Sequence, residues 1–178
     1  EPILAGERYL FVKVHTDEGL VGLGECGAWG YQEATAAVLK QMEKLLQGQD
    51  PMRIEFIWNA LTRNLHFRGS ITQAAVSGID IALWDLKAKF FGVPCYELLG
   101  GKTREKIKIY VNVRAKNAAE FAENAKKIKN QGFKAIRFSI GHPKNEDGRC
   151  GENFSAIVSR VENIMKSIRE AVGWDMDI

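Results

Sequence analysis

The stretch Ala75–Lys89, Ala-Val-Ser-Gly-Ile-Asp-Ile-Ala-Leu-Trp-Asp-Leu-Lys-Ala-Lys, places the tightest limit on how this chain can fold. At helical spacing, Ala75, Ile79, Ala82, Leu83, Leu86 and Phe90 share one side, while Ile81 and Trp84 point roughly the other way. A helix apolar on both sides must be covered on both sides, which calls for a sheet or further helices around it. Asp80 and Asp85 are the exceptions in this run. An isolated carboxylate in a core is costly, so each is expected to have a partner: Lys89 lies four residues after Asp85, and Lys87 seven after Asp80. Ser70-Ile71-Thr72-Gln73 reads as a capping box that opens the helix, and Gly92-Val93-Pro94 closes it.

The preceding segments supply what this helix needs. Tyr9–His15 and Leu20–Gly24 are β-rich runs around the turn Thr16-Asp17-Glu18-Gly19, which predicts an antiparallel hairpin. From Tyr31 to Gln47, Ala34, Ala37, Val38, Met42, Leu45 and Leu46 predict an amphipathic helix that ends at Gly48. Asp50-Pro51 then reads as an N-cap with proline at the first helical position, and Ile54, Ile57, Trp58 and Leu61 form the apolar stripe of a second helix.

After Lys102 the pattern changes to β, α, β, α, β. Lys106–Val113 and Lys134–Ile140 read as strands. Asn117-Ala118-Ala119-Glu120 is a cap box opening a helix to about Asn130, and a further helix spans about Asn153–Val172. Asp175–Ile178 reads as a strand cut off just after it begins. Alternating strands and helices imply a parallel sheet, and fewer than three units cannot close a barrel. The expected organisation is an α+β domain over residues 1–104, then the unfinished opening of an α/β domain over 105–178.

Composition excludes several classes of function. The 178 residues are 46% hydrophobic and 26% charged, with a formal charge of only +3 and the two signs interspersed. That pattern suggests neither a nucleic-acid stripe nor a membrane anchor. No run reaches the length of a membrane span and no signal-peptide pattern opens the chain, so a cytoplasmic location is the expectation. Cys26, Cys95 and Cys150 are far apart and lack zinc-site companions, and they read as reduced thiols.

The order and spacing of Ala75–Lys89, Gly92-Val93-Pro94 and Leu98-Leu99-Gly100-Gly101 resemble the enolase superfamily. Gly22-Leu23-Gly24-Glu25, Gly48-Gln49-Asp50-Pro51, Phe67-Arg68-Gly69-Ser70 and Lys106–Tyr110 extend the likeness across nearly the whole chain. More narrowly, the chain resembles the mandelate racemase and muconate-lactonizing branch, and within it the sugar-acid dehydratases of the galactonate and mannonate type. The resemblance implies a capping domain, a three-stranded antiparallel sheet with helices, followed by the start of a (β/α)8 TIM-type barrel. It implies abstraction of a proton α to a carboxylate with Mg²⁺ stabilising the enediolate, then loss of a β-hydroxyl from an aldonic or aldaric acid to give a 2-keto-3-deoxy acid. A homo-oligomer is the expected assembly.

The resemblance also nominates residues. Many relatives carry Lys-x-Lys at the end of the second barrel strand, where this chain has Arg137-Phe138-Ser139. Serine is no base near neutral pH without a partner, which argues against a lysine-base racemase or cycloisomerase. Arg137 could hold a carboxylate or polarise a leaving hydroxyl with its planar donor fork, or simply pair with a neighbouring acid. Arg137 and Ser139 are therefore the catalytic candidates. Trp29, His66, Phe67 and Arg68, on two loops of the capping domain, and His142, on the loop after the second strand, are the substrate-binding candidates; packing of Trp29 and Phe67 in the core is the competing expectation. The family's metal ligands come from later strands, so none is expected before Ile178. Asp175 and Asp177 read as structural or exposed. A racemase or epimerase, a cycloisomerase, and a noncatalytic capping or oligomerisation fragment remain as alternatives.

Overall fold

A computed structural model describes residues 1–141, 151 and 153–178, which divide into two compact units, Glu1–Thr103 and Arg104–Ile178.

In the first unit three short strands, β1 (Pro2–Ala5), β2 (Tyr9–His15) and β3 (Val21–Glu25), form an antiparallel sheet in the order β1-β2-β3. The hairpin is the one the sequence predicts: β2 and β3 pair from Phe11↔Glu25 to His15↔Val21. Alternation along β2 sends Leu10, Val12 and Val14 to the inner face, where they join the core of the unit.

Helix α1 (Gln32–Leu46) lies close to the expected span, and its buried face matches the expected one in part: Met42 is buried and Val38 and Leu46 pack against the core. Thr35, Leu39 and Met42 are buried, whereas Ala34, Ala37 and Leu45 are exposed. Leu39 and Met42 enter the core that way, where the small alanines would bury little area. Helix α2 (Ile54–Arg63) starts later than expected. Asp50 does not cap it; its Oδ1 accepts from the Met52 backbone N–H at 2.9 Å, an Asx turn that holds Pro51 outside the helix. Ile54, Ile57 and Leu61 are buried as expected.

Helix α3 (Ser70–Phe91) is the centre of the unit. Its cap is Gly69 rather than Ser70: Thr72 Oγ1 accepts from the Gly69 N–H at 3.1 Å and donates to the Gly69 carbonyl at 2.9 Å. Its buried arc is broad, taking in Ala74–Val76, Gly78, Ile79, Ala82, Leu83, Leu86 and Ala88. The expectation of burial on both sides fails at Ile81, which is 46% exposed. The helix ends in left-handed Gly92, and a short helix α4 (Cys95–Leu98) follows.

Sheet and helix meet through glycine. A Cβ placed on Gly24 would lie 1.9 Å from the Gly78 carbonyl oxygen, and one on Gly22 would lie 2.0 Å from that of Ala82. Side chains at these positions would force α3 off the sheet, so the close packing rests on their absence.

Asp85 pairs with Lys89 at 2.7 Å as the spacing predicts. Asp80 does not pair with Lys87, whose Nζ reaches the Met52 carbonyl instead. Seven residues separate the two by about 10 Å along the helix axis, beyond direct contact.

In the second unit β4 (Val111–Val113) and β5 (Ile136–Phe138) are parallel, in register from Val111↔Ile136 to Val113↔Phe138. Both are shorter than the sequence suggests, because a strand extends only as far as a neighbour pairs with it, and Lys106–Tyr110 is unpaired among the described residues. The expected third strand is present as one parallel bridge, Ala135↔Asp177. Helices α5 (Ala118–Asn130) and α6 (Phe154–Val172) are both capped by asparagine: Asn117, the cap read from the sequence, accepts from the Glu120 N–H, and Asn153 accepts from the Ala156 N–H, each at 2.9 Å. Val113, Phe121, Ala125, Ile136, Ile164, Ile168 and Val172 build the core between strands and helices.

Candidate functional site

Strand alternation divides the second unit's sheet into two faces. Ile136 and Phe138 turn toward the helices, so Arg137, between them, and Ser139 occupy the opposite face. Both are exposed. Asn112 stands opposite Arg137 in the parallel register, and Arg137 Nη1 lies 3.4 Å from the Tyr110 hydroxyl. No carboxylate pairs with Arg137 among the described residues. The helix-free face thus presents a guanidinium, a phenol, an amide and a hydroxyl, donors suited to a carboxylate or polyhydroxyl compound. Tyr110 and Asn112 escaped the sequence reading. The two-residue alternation Tyr110, Asn112 was the available signal, but choosing between the strand's faces needs the position of the helices.

The candidates of the first unit are Trp29, on the loop after β3, and His66, Phe67 and Arg68, on the loop before α3; all four are exposed. Trp29 and Phe67 are 88% and 92% exposed, so the competing expectation that they pack the core is wrong. Both loops do carry core anchors, Ala28 and Leu65 respectively, which leaves the neighbouring aromatics outside. His142 and Cys150 lie outside the described residues.

Other reactive groups fall away. Cys26 is buried, and burial pushes its thiol up to about 11, so it is no nucleophile at neutral pH. Cys95 is also a free thiol. Among the described residues no three His, Cys, Asp or Glu side chains cluster to hold a metal ion. Asp175 and Asp177 are engaged elsewhere, by Lys129 at 2.7 Å and by Lys108. Those hydrogen bonds hold both carboxyls below the usual range. No helix among the described residues is long and apolar enough to cross a membrane.

Residues 4–100 match the family described as mandelate racemase / muconate lactonizing enzyme, N-terminal domain. The chain is 42% identical over 133 residues to D-galactonate dehydratase of Pectobacterium atrosepticum, a match covering 74% of this chain and 35% of that protein. It is 37% identical over 172 residues to D-mannonate dehydratase of Novosphingobium aromaticivorans, covering 96% of this chain and 42% of that one. A solved structure of a member of the enolase superfamily from Salmonella Typhimurium superposes with a TM-score of 0.85 at 33% identity, over 96% of this chain and 49% of the other. The chain therefore spans less than half the length of each of these relatives. Three antiparallel strands packed through glycines on one long helix are the domain that this match describes, and the chain belongs to the mandelate racemase / muconate lactonizing enzyme family of the enolase superfamily.

Proposed function

We propose that this chain is part of a sugar-acid dehydratase. The reaction removes the proton α to a carboxylate, breaks the β C–O bond with release of water, and lets the resulting enol become a 2-keto-3-deoxy acid. Arg137 carries the reading: an exposed guanidinium with no acidic partner among the described residues, beside Tyr110 and Asn112, where a lysine pair would have pointed to a lysine-base racemase. Its fork can hold the substrate carboxylate or donate to the departing hydroxyl, with Ser139 as a further hydroxyl on the same face. The relatives named as galactonate and mannonate dehydratases support the same substrate class.

Trp29, His66, Phe67 and Arg68 are proposed as substrate contacts, since exposed aromatic and basic side chains on loops suit recognition of a polyhydroxy acid. The family implies Mg²⁺, which would stabilise the enediolate. The described residues supply no ligand cluster for it, so no step is assigned to this chain through the metal. Residues 1–104 are proposed as the capping domain and 105–178 as the opening of the barrel.

The test is to incubate the enzyme that the gene encodes with aldonic and aldaric acids and Mg²⁺, and to detect 2-keto-3-deoxy products by mass. Products lighter than substrate by one water support dehydration. Products of unchanged mass that have exchanged the α-proton with solvent would overturn it in favour of racemisation.

A further inference from the structure

Val113-Arg114-Ala115 lies where β4 ends and the chain turns toward α5. Val113 is buried in the core between strands and helices, and Ala115 packs against that same core. Alternation therefore sends Arg114, between them, to the opposite face, the one that Asn112 and Arg137 share. Arg114 is exposed there. It is the last residue of that face, because the Lys116 N–H donates to the Glu120 carboxylate at 3.0 Å and draws the chain into the turn that opens α5.

The register fixes where Arg114 stands. Asn112 lies opposite Arg137 and Val113 opposite Phe138, so Arg114 is level with Ser139, nearer the C-terminal end of the sheet than Arg137. The spacing of adjacent strands and the rise of two residues put the Cα atoms of Arg114 and Arg137 about 8 Å apart. Asn124 of α5 donates from Nδ2 to the Arg114 carbonyl at 3.1 Å and holds the backbone beneath the side chain. The C-terminal ends of parallel strands are where such sheets carry their ligand-binding groups, and two guanidinium forks meet at this one.

The charge of this face selects among sugar acids. Tyr110, Asn112 and Ser139, its other polar side chains, add hydrogen-bonding groups but no charge. An aldonic acid has one carboxylate and ends in a hydroxymethyl group, so it matches one fork and leaves the second without an anion. An aldaric acid carries a carboxylate at each end of the same carbon chain and matches both.

We infer that Arg114 is a specificity-determining residue that holds the second carboxylate of an aldaric acid, while Arg137 serves the reacting end. This rests on the dehydratase reading above and narrows its substrate class to dicarboxylates. Arg137 takes the reacting end because it stands where relatives carry their lysine pair; Arg114, closer to the open end of the sheet, meets the far end of the substrate.

The experiment compares kcat/KM of the enzyme that the gene encodes for aldaric acids and for aldonic acids of the same configuration, galactarate against galactonate and mannarate against mannonate, in the parent, Arg114→Gln and Arg114→Lys. The parent is expected to favour the better aldaric acid over its aldonic counterpart by about 10²-fold, the worth of one charge-assisted pair. Arg114→Gln should bring that ratio close to one, chiefly through KM for the aldaric acid, and Arg114→Lys should restore part of it. Aldonic acids dehydrated as well as or better than aldaric ones would overturn the inference and leave the dehydratase reading standing. An aldaric preference that Arg114→Gln leaves unchanged, with or without a lower unfolding midpoint, would overturn the role of Arg114 in the same way. Dehydration of none of the four acids would overturn the dehydratase reading for this substrate class, and the inference with it.

Discussion

The carboxylate of Asp85 accepts a hydrogen bond from the backbone N–H of Leu23, 62 residues away, at 2.8 Å. Lys89 completes the arrangement: its Nζ holds Asp85 Oδ2 at 2.7 Å and donates to the Val21 carbonyl at 2.9 Å. One ion pair on α3 thus occupies two outward-facing backbone groups of β3, the Leu23 N–H and the Val21 carbonyl, and fixes the helix against the strand.

Asp85→Ala is expected to cost about 1–3 kcal/mol, because it removes a charge-assisted acceptor and leaves Leu23 N–H and Lys89 without it. Lys89→Ala should cost less, since the Val21 carbonyl can turn to water. Chemical denaturation of both single variants and the double variant measures the coupling; strictly additive losses would show that the two side chains act independently.

Gly24→Ala is expected to destabilise by about 3 kcal/mol or more, since its methyl group would collide with the backbone of α3. Gly27→Ala is the control, because nothing lies within 4 Å of its Cβ position. A Gly24→Ala midpoint equal to that of Gly27→Ala would refute the close approach of strand and helix.

Asp80 has its carboxyl pushed up, by burial first and then by the Glu55 charge. A raised folded-state value means the folded chain holds its proton longer than the unfolded chain. Its destabilising contribution is therefore absent below the ordinary value of 3.8 and fully present above the raised one. Asp80→Asn should raise the unfolding midpoint at pH 7 and lose that advantage on acidification through this window. Midpoints measured at pH 7 and pH 3 check the sign.

Lys129 joins the end of α6 to the last strand, reaching the Val172 carbonyl and Asp175 Oδ1 at 2.7 Å. Its bond keeps the Asp175 carboxyl below the usual range, so that contribution is present above 3.8 and disappears as pH falls through the depressed value. Lys129→Met should unfold at a lower temperature at neutral pH, and the gap from the parent should narrow in acid. A gap that stays constant down to pH 2 would mean that Asp175 contributes nothing to it.

Arg137→Lys and Arg137→Ala test the proposed site without disturbing the fold, since the side chain is exposed. Each is expected to lower kcat/KM by about 10²–10³ while leaving the unfolding midpoint unchanged. Lysine should not rescue, because it keeps the charge but not the planar fork. Full activity in Arg137→Lys would reduce the role to charge alone.

Local chemistry was legible in the sequence wherever short-range rules decide. The hairpin turn, the Asn117 cap, the Asp85–Lys89 spacing and the change from α+β to alternating β and α all depend on residues a few positions apart. Tertiary packing decided the rest. The buried face of α1 shifted to take in Thr35 and Leu39 while leaving Ala34, Ala37 and Leu45 exposed, and Lys87, too far along the helix to reach Asp80, turned to the Met52 carbonyl on a neighbouring segment. The same holds for the candidate site. Arg137 and Ser139 stood out as departures from a motif, but Tyr110 and Asn112 became candidates only when the parallel register set them beside Arg137 on the face away from the helices. Strand pairing joins residues far apart in the chain, and periodicity within one strand reports that two faces exist without saying which of them the helices cover.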